Sequence, residues 1–365
     1  MKQVAVAEPP EPDPAAAERL LSLDVFRGAT IAAMILVNNP GDWGYVYAPL
    51  RHAVWHGWTF TDLIFPFFLW IAGLAMTLSF ARRVEQGASR ARLLLHTVRR
   101  AALIFLLGLL LNGFPAYDLA ALRIPGVLQR IAVCYLIAAA IFLYSGTRAR
   151  VLWTAFLLAF YCYLMRDGYE QGANFAEWVD SQFLAGHMWA ATKTWDPEGI
   201  VSTLPAIATC LLGVLTGQIL RARRSAAERA VWMLVSGNAL AAAGLMLDPW
   251  APINKNLWTA SYALFTAGLA ASVFGACFWL IDARGMRWGT APLAIYGRNA
   301  IVVYAMSGVM ARALGVWGGK TFLYKNVFEP LASPINASLL YAAANVAALF
   351  AVAWAMYRRR WFVRL

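Results

Sequence analysis

The stretch RHAVWHGWTFTDLIFPFFLWIAGLAMTLSFA, residues 51–81, begins with polar and charged side chains and ends in a long apolar run. Its first part contains an arginine, two histidines and an aspartate. The run 62–81 has the length that an α-helix needs to cross a hydrocarbon core of about 30 Å. The stretch therefore predicts a membrane-spanning helix with an imidazole and a carboxylate at one end.

The rest of the chain repeats this apolar pattern. Its 365 residues are 61% hydrophobic and 14% charged, with a mean hydropathy of +0.57, which is more apolar surface than a soluble domain can bury. Runs of about 17 to 25 apolar residues can span a bilayer. Such runs lie at 22–39, 62–81, 98–114, 125–145, 151–166, 201–220, 230–248, 257–281, 291–314 and 337–357. We therefore predict an all-α polytopic membrane protein with about ten transmembrane helices.

Lysine and arginine are distributed unevenly between the two sets of connecting segments. The net charge is +12, with 31 lysines and arginines. One set, which includes 82–100, 221–229 and the tail after residue 357, holds 22 of the 31. Because cytoplasmic loops are enriched in these residues, we predict that both termini are cytoplasmic. The basic charge then indicates topology, and we expect no nucleic-acid partner.

The ends of the chain and the cysteines add two expectations. Residues 1–19, rich in proline and alanine, are predicted to form a disordered cytoplasmic tail, and 20–365 a single transmembrane domain. The four cysteines fall within predicted spans without a metal-binding spacing. They are Cys134, Cys162, Cys210 and Cys277. We expect buried thiols, with no disulfide and no metal site.

Polar side chains near the membrane ends have two interpretations each. Asp24 and Arg27 lie one helical turn apart, so they form either an anchoring ion pair or a site where Arg27 meets an anionic ligand. The loop 167–200 forms either a sugar-binding surface or part of an interfacial aromatic belt. Its aromatic and titratable residues are Trp178, Asp180, His187, Trp189, Trp195, Asp196 and Glu198.

Several longer motifs occur in a fixed order along the chain. They are Ser22-Leu-Asp-Val-Phe-Arg-Gly28, Val37-Asn38, His52-Ala-Val-Trp-His-Gly57, Asp62-Leu-Ile-Phe-Pro66, Arg123-Ile-Pro-Gly-Val-Leu-Gln-Arg130, Asp196-Pro-Glu-Gly-Ile200, Pro252-Ile-Asn-Lys-Asn-Leu-Trp258 and Tyr296-Gly-Arg-Asn299. In this order they resemble the heparan-α-glucosaminide N-acetyltransferase family and its bacterial relatives, over roughly residues 20–365.

The resemblance implies an acetyl transfer across a membrane. In such a reaction acetyl-CoA binds from the cytoplasmic side, and its acetyl group reaches an amino sugar on the outer side. The resemblance assigns catalysis to His52 and Asn38. His52 would deprotonate the attacking amine or attack the thioester itself. Asp62 would orient the imidazole, and Asn38 would donate a hydrogen bond to the thioester oxygen.

Further residues are candidates for binding the two substrates. Arginines suit CoA phosphates because they form charge-assisted hydrogen bonds. The candidates for CoA are Arg27, Arg99, Arg100, Arg130 and Arg298. The candidates for the acceptor, given by the motif matches and the outer loop, are Asn254, Lys255, Asn256, Trp258, Asp196 and Glu198. The acceptor itself stays open between an amino sugar, another periplasmic saccharide, and another amine or hydroxyl.

Other readings of the same pattern stay open. A sugar permease without CoA chemistry would also use intramembrane charges, with His52 and Asp62 carrying protons or binding substrate. O-acyl transfer would keep CoA and change the acceptor. For location we expect a bacterial inner membrane, in contact with lipid, and the resemblance implies a homodimer.

Overall fold

The computed structural model describes residues 20–363, which form thirteen α-helices. The helices are α1 (Leu21–Asn38), α2 (Phe60–Glu85), α3 (Arg90–Gly113), α4 (Val127–Tyr144), α5 (Thr147–Leu164), α6 (Phe175–Phe183), α7 (Thr203–Arg221), α8 (Ala226–Leu247), α9 (Ala260–Phe278), α10 (Thr290–Arg298), α11 (Ala300–Val316), α12 (Gly319–Leu323) and α13 (Pro334–Arg358). Within this range the backbone forms no strand beyond one isolated bridge between Gly57 and Asn254. The predicted all-α fold is therefore confirmed, while the predicted tail, 1–19, lies outside the described residues.

The ten predicted spans all fall on helices, but the helices differ in how well they suit a membrane. Eight are long and apolar enough to cross one, namely α1 to α4, α7, α8, α9 with its short extension to Ala283, and α13. A ninth crossing requires α10 and α11 together, which bend by 81° around Asn299. The remaining predicted span, 151–166, falls on α5. The first turn of this helix holds Arg148 and Arg150, which shorten its apolar part. A polytopic membrane protein is confirmed.

Helices α2 and α7 form the centre of the bundle, because more of their surface is buried than that of the other spanning helices. Their backbones touch where glycines face them. A side chain on Gly73 would lie 1.9 Å from the carbonyl oxygen of Cys210, and one on Gly213 would lie 2.1 Å from that of Trp70. Small residues allow this close approach between membrane helices, and here they fix α2, which carries Asp62, against α7.

The helix ends form two opposite faces. On one face the start of α1 meets the end of α9, where the backbone N–H of Ser22 donates to Asp282 at 3.1 Å. On the same face Arg221, at the end of α7, pairs with Glu85, at the end of α2, at 2.5 Å. We call this the arginine-rich face, since it holds the basic segments used above for the topology. Its cytoplasmic location stays a prediction.

The opposite face, which we call the histidine face, carries the start of α2 and the longer connecting loops. The loop before α2 and the loop between α8 and α9 meet there, because the N–H of Gly57 donates to the carbonyl of Ile253 at 2.7 Å. Trp55 Nε1 donates to the carbonyl of Tyr169 at 2.9 Å, which joins the loop before α6 to the same group. These contacts place residues from three distant parts of the chain around the N-terminus of α2.

Candidate active site at the start of helix α2

The site is built around Asp62, the third residue of α2. Thr59 precedes the helix, and the spacing Thr59-x-x-Asp62 is that of a capping box. Accordingly, the N–H of Thr59 donates to Asp62 Oδ2 at 3.0 Å, and the Thr59 hydroxyl lies 3.1 Å from the same oxygen. A carboxylate in the first turn also lies at the positive end of the helix dipole. Local sequence therefore fixes Asp62 as the acceptor at the start of α2.

The carboxylate of Asp62 holds His52 in one orientation. Asp62 Oδ1 lies 2.6 Å from His52 Nδ1, while Oδ2 accepts the N–H of Ala53 at 3.0 Å. The Asp62 side chain is 1% exposed, whereas the His52 side chain is 43% exposed. On the main chain, the Tyr262 hydroxyl donates to the Asp62 carbonyl at 2.5 Å. The predicted partnership of His52 and Asp62 is thus present in the geometry, with the carboxylate covered and the ring open.

Lys255 is the third charged member of this group. Its Nζ lies 2.9 Å from His52 Nδ1 and 3.3 Å from Nε2, and 3.7 Å from Asp62 Oδ1. Burial lowers the pKa of the Lys255 ammonium, and the charges of Asp62 and Glu198 oppose that shift. The lysine reaches the ring because Asn254 Oδ1 accepts the N–H of Leu257 and shapes its loop. Sequence reasoning grouped Lys255 with the acceptor, and it missed this contact with His52.

This arrangement can accept a proton. The short contact with Asp62 favours a proton on His52 Nδ1, an assignment based on the hydrogen-bond geometry. Nε2 then keeps its lone pair, with the Lys255 ammonium 3.3 Å away. A buried carboxylate, an imidazole and an ammonium within contact of one another can remove a proton from a nucleophile and stabilise negative charge beside it.

Further polar and aromatic contacts join the loops next to His52. His56 Nε2 lies 3.5 Å from Glu170 Oε1, and Asn254 Nδ2 lies 3.4 Å from His56 Nδ1. The ring of Trp55 stands edge-on to Trp195 at 5.2 Å. No local pattern predicts these contacts, because they join three loops that are far apart in sequence.

Asn38 lies away from the His52 pair. It is the last residue of α1, its side chain is exposed, and within the described part of the chain it has no hydrogen bond to His52 or Asp62. Instead it lines a cavity of about 230 Å³ between α1, α3, α4 and α11. Neither His52 nor Asp62 lines that cavity. Its predicted role at the thioester therefore stays a prediction.

Three of the candidates for acceptor binding form contacts with other side chains of the protein. The carboxylates of Asp196 and Glu198 both bind Arg123, at 2.6 Å and 2.5 Å from its Nη2, and Asp196 is fully buried. Trp258 is 1% exposed, and its Nε1 donates to Thr209 Oγ1. These side chains face protein groups rather than the outside, so their assignment to acceptor binding needs correction. Asn254 is buried as well, whereas Asn256 is half-buried in the same loop.

The five arginines predicted for CoA divide into three groups. Arg27 and Arg298 share Asp24, at 3.4 Å and 3.9 Å, which confirms that Asp24 and Arg27 face the same way. Arg99 is exposed on α3, and its neighbour Arg100 lies 5.0 Å over the ring of Tyr135. These four are on the arginine-rich face.

Arg130 is different because it lies in the first turn of α4, on the histidine face. It is 2% exposed and donates to the Gly199 carbonyl and the Ser202 hydroxyl. Its guanidinium also covers the ring of Trp258 at 5.1 Å. Arg130 therefore cannot share a phosphate site with the four arginines of the other face, and its grouping with them needs correction.

Comparison with known proteins gives consistent matches. A family model described as the catalytic region of heparan-alpha-glucosaminide N-acetyltransferase matches residues 19–247, a range that contains His52 and Asp62 and ends before Lys255. The human heparan-alpha-glucosaminide N-acetyltransferase is 28% identical over 354 residues, which cover 78% of this chain and 52% of the human protein. The mouse protein is 27% identical over 359 residues, covering 81% and 54%. The chain thus spans about half the length of these relatives.

Proposed function

This chain belongs to the heparan-alpha-glucosaminide N-acetyltransferase family, and from that premise we propose that it transfers acetyl groups across a membrane. Acetyl-CoA binds at the arginine-rich face, and an amino sugar at the histidine face accepts the acetyl group. The observation that carries the proposal is the 2.6 Å contact between a buried Asp62 and an exposed His52. We further propose a bacterial inner membrane, with the arginine-rich face in the cytoplasm.

The pair supports direct transfer to an amine. His52 Nε2 takes a proton from the amine as its nitrogen bonds to the thioester carbon. The tetrahedral intermediate then collapses, the carbon–sulfur bond breaks, and the CoA thiolate leaves and takes up the proton from the imidazolium. Asp62, which lies against Nδ1, stabilises the imidazolium between these two steps. Attack by Nε2 itself, with an acetyl-histidine intermediate, uses the same ring atom.

Two donors are available for the thioester oxygen. Lys255 Nζ lies 3.3 Å from His52 Nε2, beside the atom at which proton transfer occurs. Asn38 offers an exposed amide that no described residue engages. Donors placed where charge develops lower the barrier to acyl transfer. We assign the oxyanion contact to Lys255 first, because its ammonium lies beside the reacting ring atom, and to Asn38 if the thioester extends into the cavity.

The arginine-rich face suits an anionic donor. Within the described residues Arg100 Nε is buried without a hydrogen-bond partner, and Arg99 beside it is exposed. Arg27 and Arg298 both lie near the Asp24 carboxylate, at 3.4 Å and 3.9 Å. Guanidinium groups of this kind bind phosphates through charge-assisted hydrogen bonds. We propose that these four arginines hold the phosphates of CoA.

Acetyl-CoA consumption by the detergent-purified protein, with glucosamine and a panel of amino sugars, tests the proposal. We expect turnover in the wild type and a loss of about 10²- to 10⁴-fold in His52→Ala, the range typical of a lost general base. The matched control is His187→Ala, since His187 is on the same face and, among the described residues, its ring hydrogen-bonds only the loop carbonyl of Leu122, at 2.8 Å. Absence of both acetyl-CoA binding and turnover in folded wild type would favour a sugar permease.

A further inference from the structure

Lys255 differs from the other lysines of the described residues, because its amine lies at the proposed reaction centre. Its Nζ is 2.9 Å and 3.3 Å from the two ring nitrogens of His52, and its side chain is 18% exposed. The other lysines in this range lie elsewhere. Lys193 is exposed in the loop between α6 and α7, and Lys320 and Lys325 lie in and just after α12. Only the amine of Lys255 therefore meets the proposed base.

The loop between α8 and α9 holds this amine in place. Before Lys255, the buried Asn254 accepts the N–H of Leu257 through its side chain at 2.9 Å. The N–H of Asn254 donates to the Thr259 hydroxyl at 3.1 Å, and that hydroxyl donates to the Pro252 carbonyl at 2.8 Å. The backbone is thus fixed on both sides of Lys255, which limits how far Nζ can move from the imidazole.

The chemistry of this amine depends on its proton. As an ammonium it donates to the developing oxyanion, the role proposed above. As a neutral amine it is a nucleophile, like the amine of an acceptor. Burial lowers the pKa of Lys255, and the charges of Asp62 and Glu198 oppose that shift, so the neutral form is more populated than in a lysine with an ordinary pKa. The base that would deprotonate an acceptor amine, His52, lies within 3.3 Å of it.

We propose that Lys255 is a self-acetylation site, whose Nζ takes the acetyl group when acetyl-CoA is bound and no acceptor is present. The inference rests on the acetyl transfer proposed above, because that reaction brings the thioester to His52. An acceptor amine and Lys255 then compete for the same ring atom, Nε2 of His52. A bound acceptor protects the lysine, and an empty acceptor site exposes it to the thioester.

Self-acetylation uses the same bond changes as transfer to an acceptor. The Lys255 ammonium first gives one proton to water. Nζ then attacks the thioester carbon, and His52 Nε2 removes a second proton as the carbon–nitrogen bond forms. The carbon–sulfur bond breaks, and the CoA thiolate leaves and takes up the proton from the imidazolium. The products are free CoA and an uncharged amide at Lys255, which is stable in water.

The modification removes a charge from the reaction centre. The ammonium lies 3.7 Å from Asp62 Oδ1 and beside the proposed position of the thioester oxygen, and the amide of acetyl-lysine carries no charge at either place. Donors placed where charge develops lower the barrier to acyl transfer, so the acetylated protein should have a kcat/KM about ten-fold lower. Protein that meets acetyl-CoA without an acceptor therefore loses activity with time.

Peptide mass spectrometry of the purified protein tests the site. The protein is incubated with acetyl-CoA that carries deuterium in the acetyl group, with and without glucosamine. Without glucosamine we expect labelled acetyl groups on Lys255 about ten-fold faster or more than on Lys193, the exposed control lysine, and glucosamine should slow the labelling of Lys255 alone. In His52→Ala the labelling of Lys255 should fall by about 10²-fold or more, because the base is lost.

Two variants at the same position link the modification to activity. Lys255→Gln resembles acetyl-lysine, and Lys255→Arg keeps a charge but has no amine that acetyl-CoA acetylates. Preincubation with acetyl-CoA should lower the kcat/KM of the wild type toward that of Lys255→Gln. Lys255→Arg should keep the kcat/KM that it has before preincubation.

The outcomes for self-acetylation and for acetyl transfer are distinguishable. Turnover with glucosamine, together with equal labelling of Lys255 and Lys193, would overturn self-acetylation and leave the acetyl transfer intact. Equal labelling of Lys255 in the wild type and in His52→Ala would also overturn it, because the reaction would not use the base. Neither labelling nor turnover in folded wild type would overturn both proposals. The comparison of the two lysines uses the wild type alone, so it does not depend on the folding of a variant.

Discussion

Two groups of charged side chains lie on the histidine face, and each combines acidic with basic residues. In one group Asp62 and Lys255 contact His52. In the other, Asp196 and Glu198 contact Arg123. The first group leaves an imidazole 43% exposed, with one ring nitrogen free of the carboxylate. In the second group every charge faces an opposite charge inside the protein.

The difference separates a group that can react from one that holds the fold. Asp196 accepts Arg123 through both carboxylate oxygens and also takes the N–H of Trp189 at 2.8 Å, so it has no capacity left for a ligand. Asp62 contacts only Nδ1 of His52, so Nε2 can still accept a proton from a substrate. Charge and an outer location are shared by both groups. Catalysis requires an atom that the substrate can reach and that can still accept a proton.

The largest effect on activity should come from Asp62→Asn. Two backbone N–H groups, of Ala53 and Thr59, hold the Oδ2 position, so the amide oxygen will occupy it and the amide NH₂ will face His52 Nδ1. Nδ1 must then accept a hydrogen bond, and the proton moves to Nε2, where it blocks the base. We expect kcat to fall by about 10²- to 10⁴-fold. An unchanged kcat would remove the distinction between the two groups.

Arg123→Ala should have the next largest effect, on stability rather than on chemistry. The substitution leaves two buried carboxylates without their partner, which costs about 3–5 kcal/mol in comparable buried pairs. Denaturation of the detergent-purified protein measures this loss, with the exposed Arg166→Ala as control. Activity per folded molecule should stay near that of the wild type. A specific loss of kcat would instead place Arg123 in the reaction.

A pH effect should follow from Asp180, which lies beside the second group. Its oxygens accept the N–H groups of Ile200 and Asp196, and burial raises the pKa of Asp180 from 3.8 to about 6. Between these values the folded protein binds a proton that the unfolded chain has lost, so stability falls as pH rises. Relative to Asp180→Asn, we expect the wild type to lose up to ~3 kcal/mol from about pH 4 to pH 6.

Above pH 6 the stability difference between the wild type and Asp180→Asn should be constant. Thermal unfolding across this pH range measures it. If the wild type instead gained stability relative to Asp180→Asn as the pH rises from about 4 to 6, burial would not be the dominant influence on this carboxyl group.

The smallest effect should come from Lys255→Met, which keeps the length of the side chain and removes the ammonium. Because burial lowers the pKa of Lys255, the charged form is costly, and we expect equal or higher stability. At the same time kcat/KM should fall about ten-fold, since one donor to the developing oxyanion is lost. An unchanged kcat/KM together with an altered stability would show that Lys255 supports the fold and takes no part in the reaction.

Local patterns predicted the parts of this molecule that depend on neighbours in sequence. Each apolar run lies on helical segments, and Asp62 was expected at the start of one of them. The capping box that Thr59 forms with Asp62 was not predicted, although the spacing Thr59-x-x-Asp62 is its usual signature. His52 lies only ten residues before Asp62, so a short loop suffices to bring them together. The bend around Asn299 was not predicted, although Arg298 and Asn299 interrupt the apolar run 291–314 at that point.

Contacts between distant segments were beyond the sequence patterns. Lys255 and His52 are separated by 203 positions, and they meet because the loop between α8 and α9 docks onto the loop before α2, through contacts such as that of the Gly57 N–H with the Ile253 carbonyl. Arg123 and Asp196 are also distant in sequence. Neither hydropathy nor the motifs indicated that Arg123 binds this carboxylate. Sequence therefore identified candidate groups, whereas tertiary packing decided which of them keep a free atom.

The central claim is that acetyl groups cross the membrane, and the sidedness of the reaction tests it most directly. Purified protein would be placed in proteoliposomes, with glucosamine trapped inside and acetyl-CoA added outside. We predict acetylated glucosamine inside the vesicles, none with His52→Ala, and none when donor and acceptor are confined to the same side. Product that forms only when both substrates share one side would contradict the account.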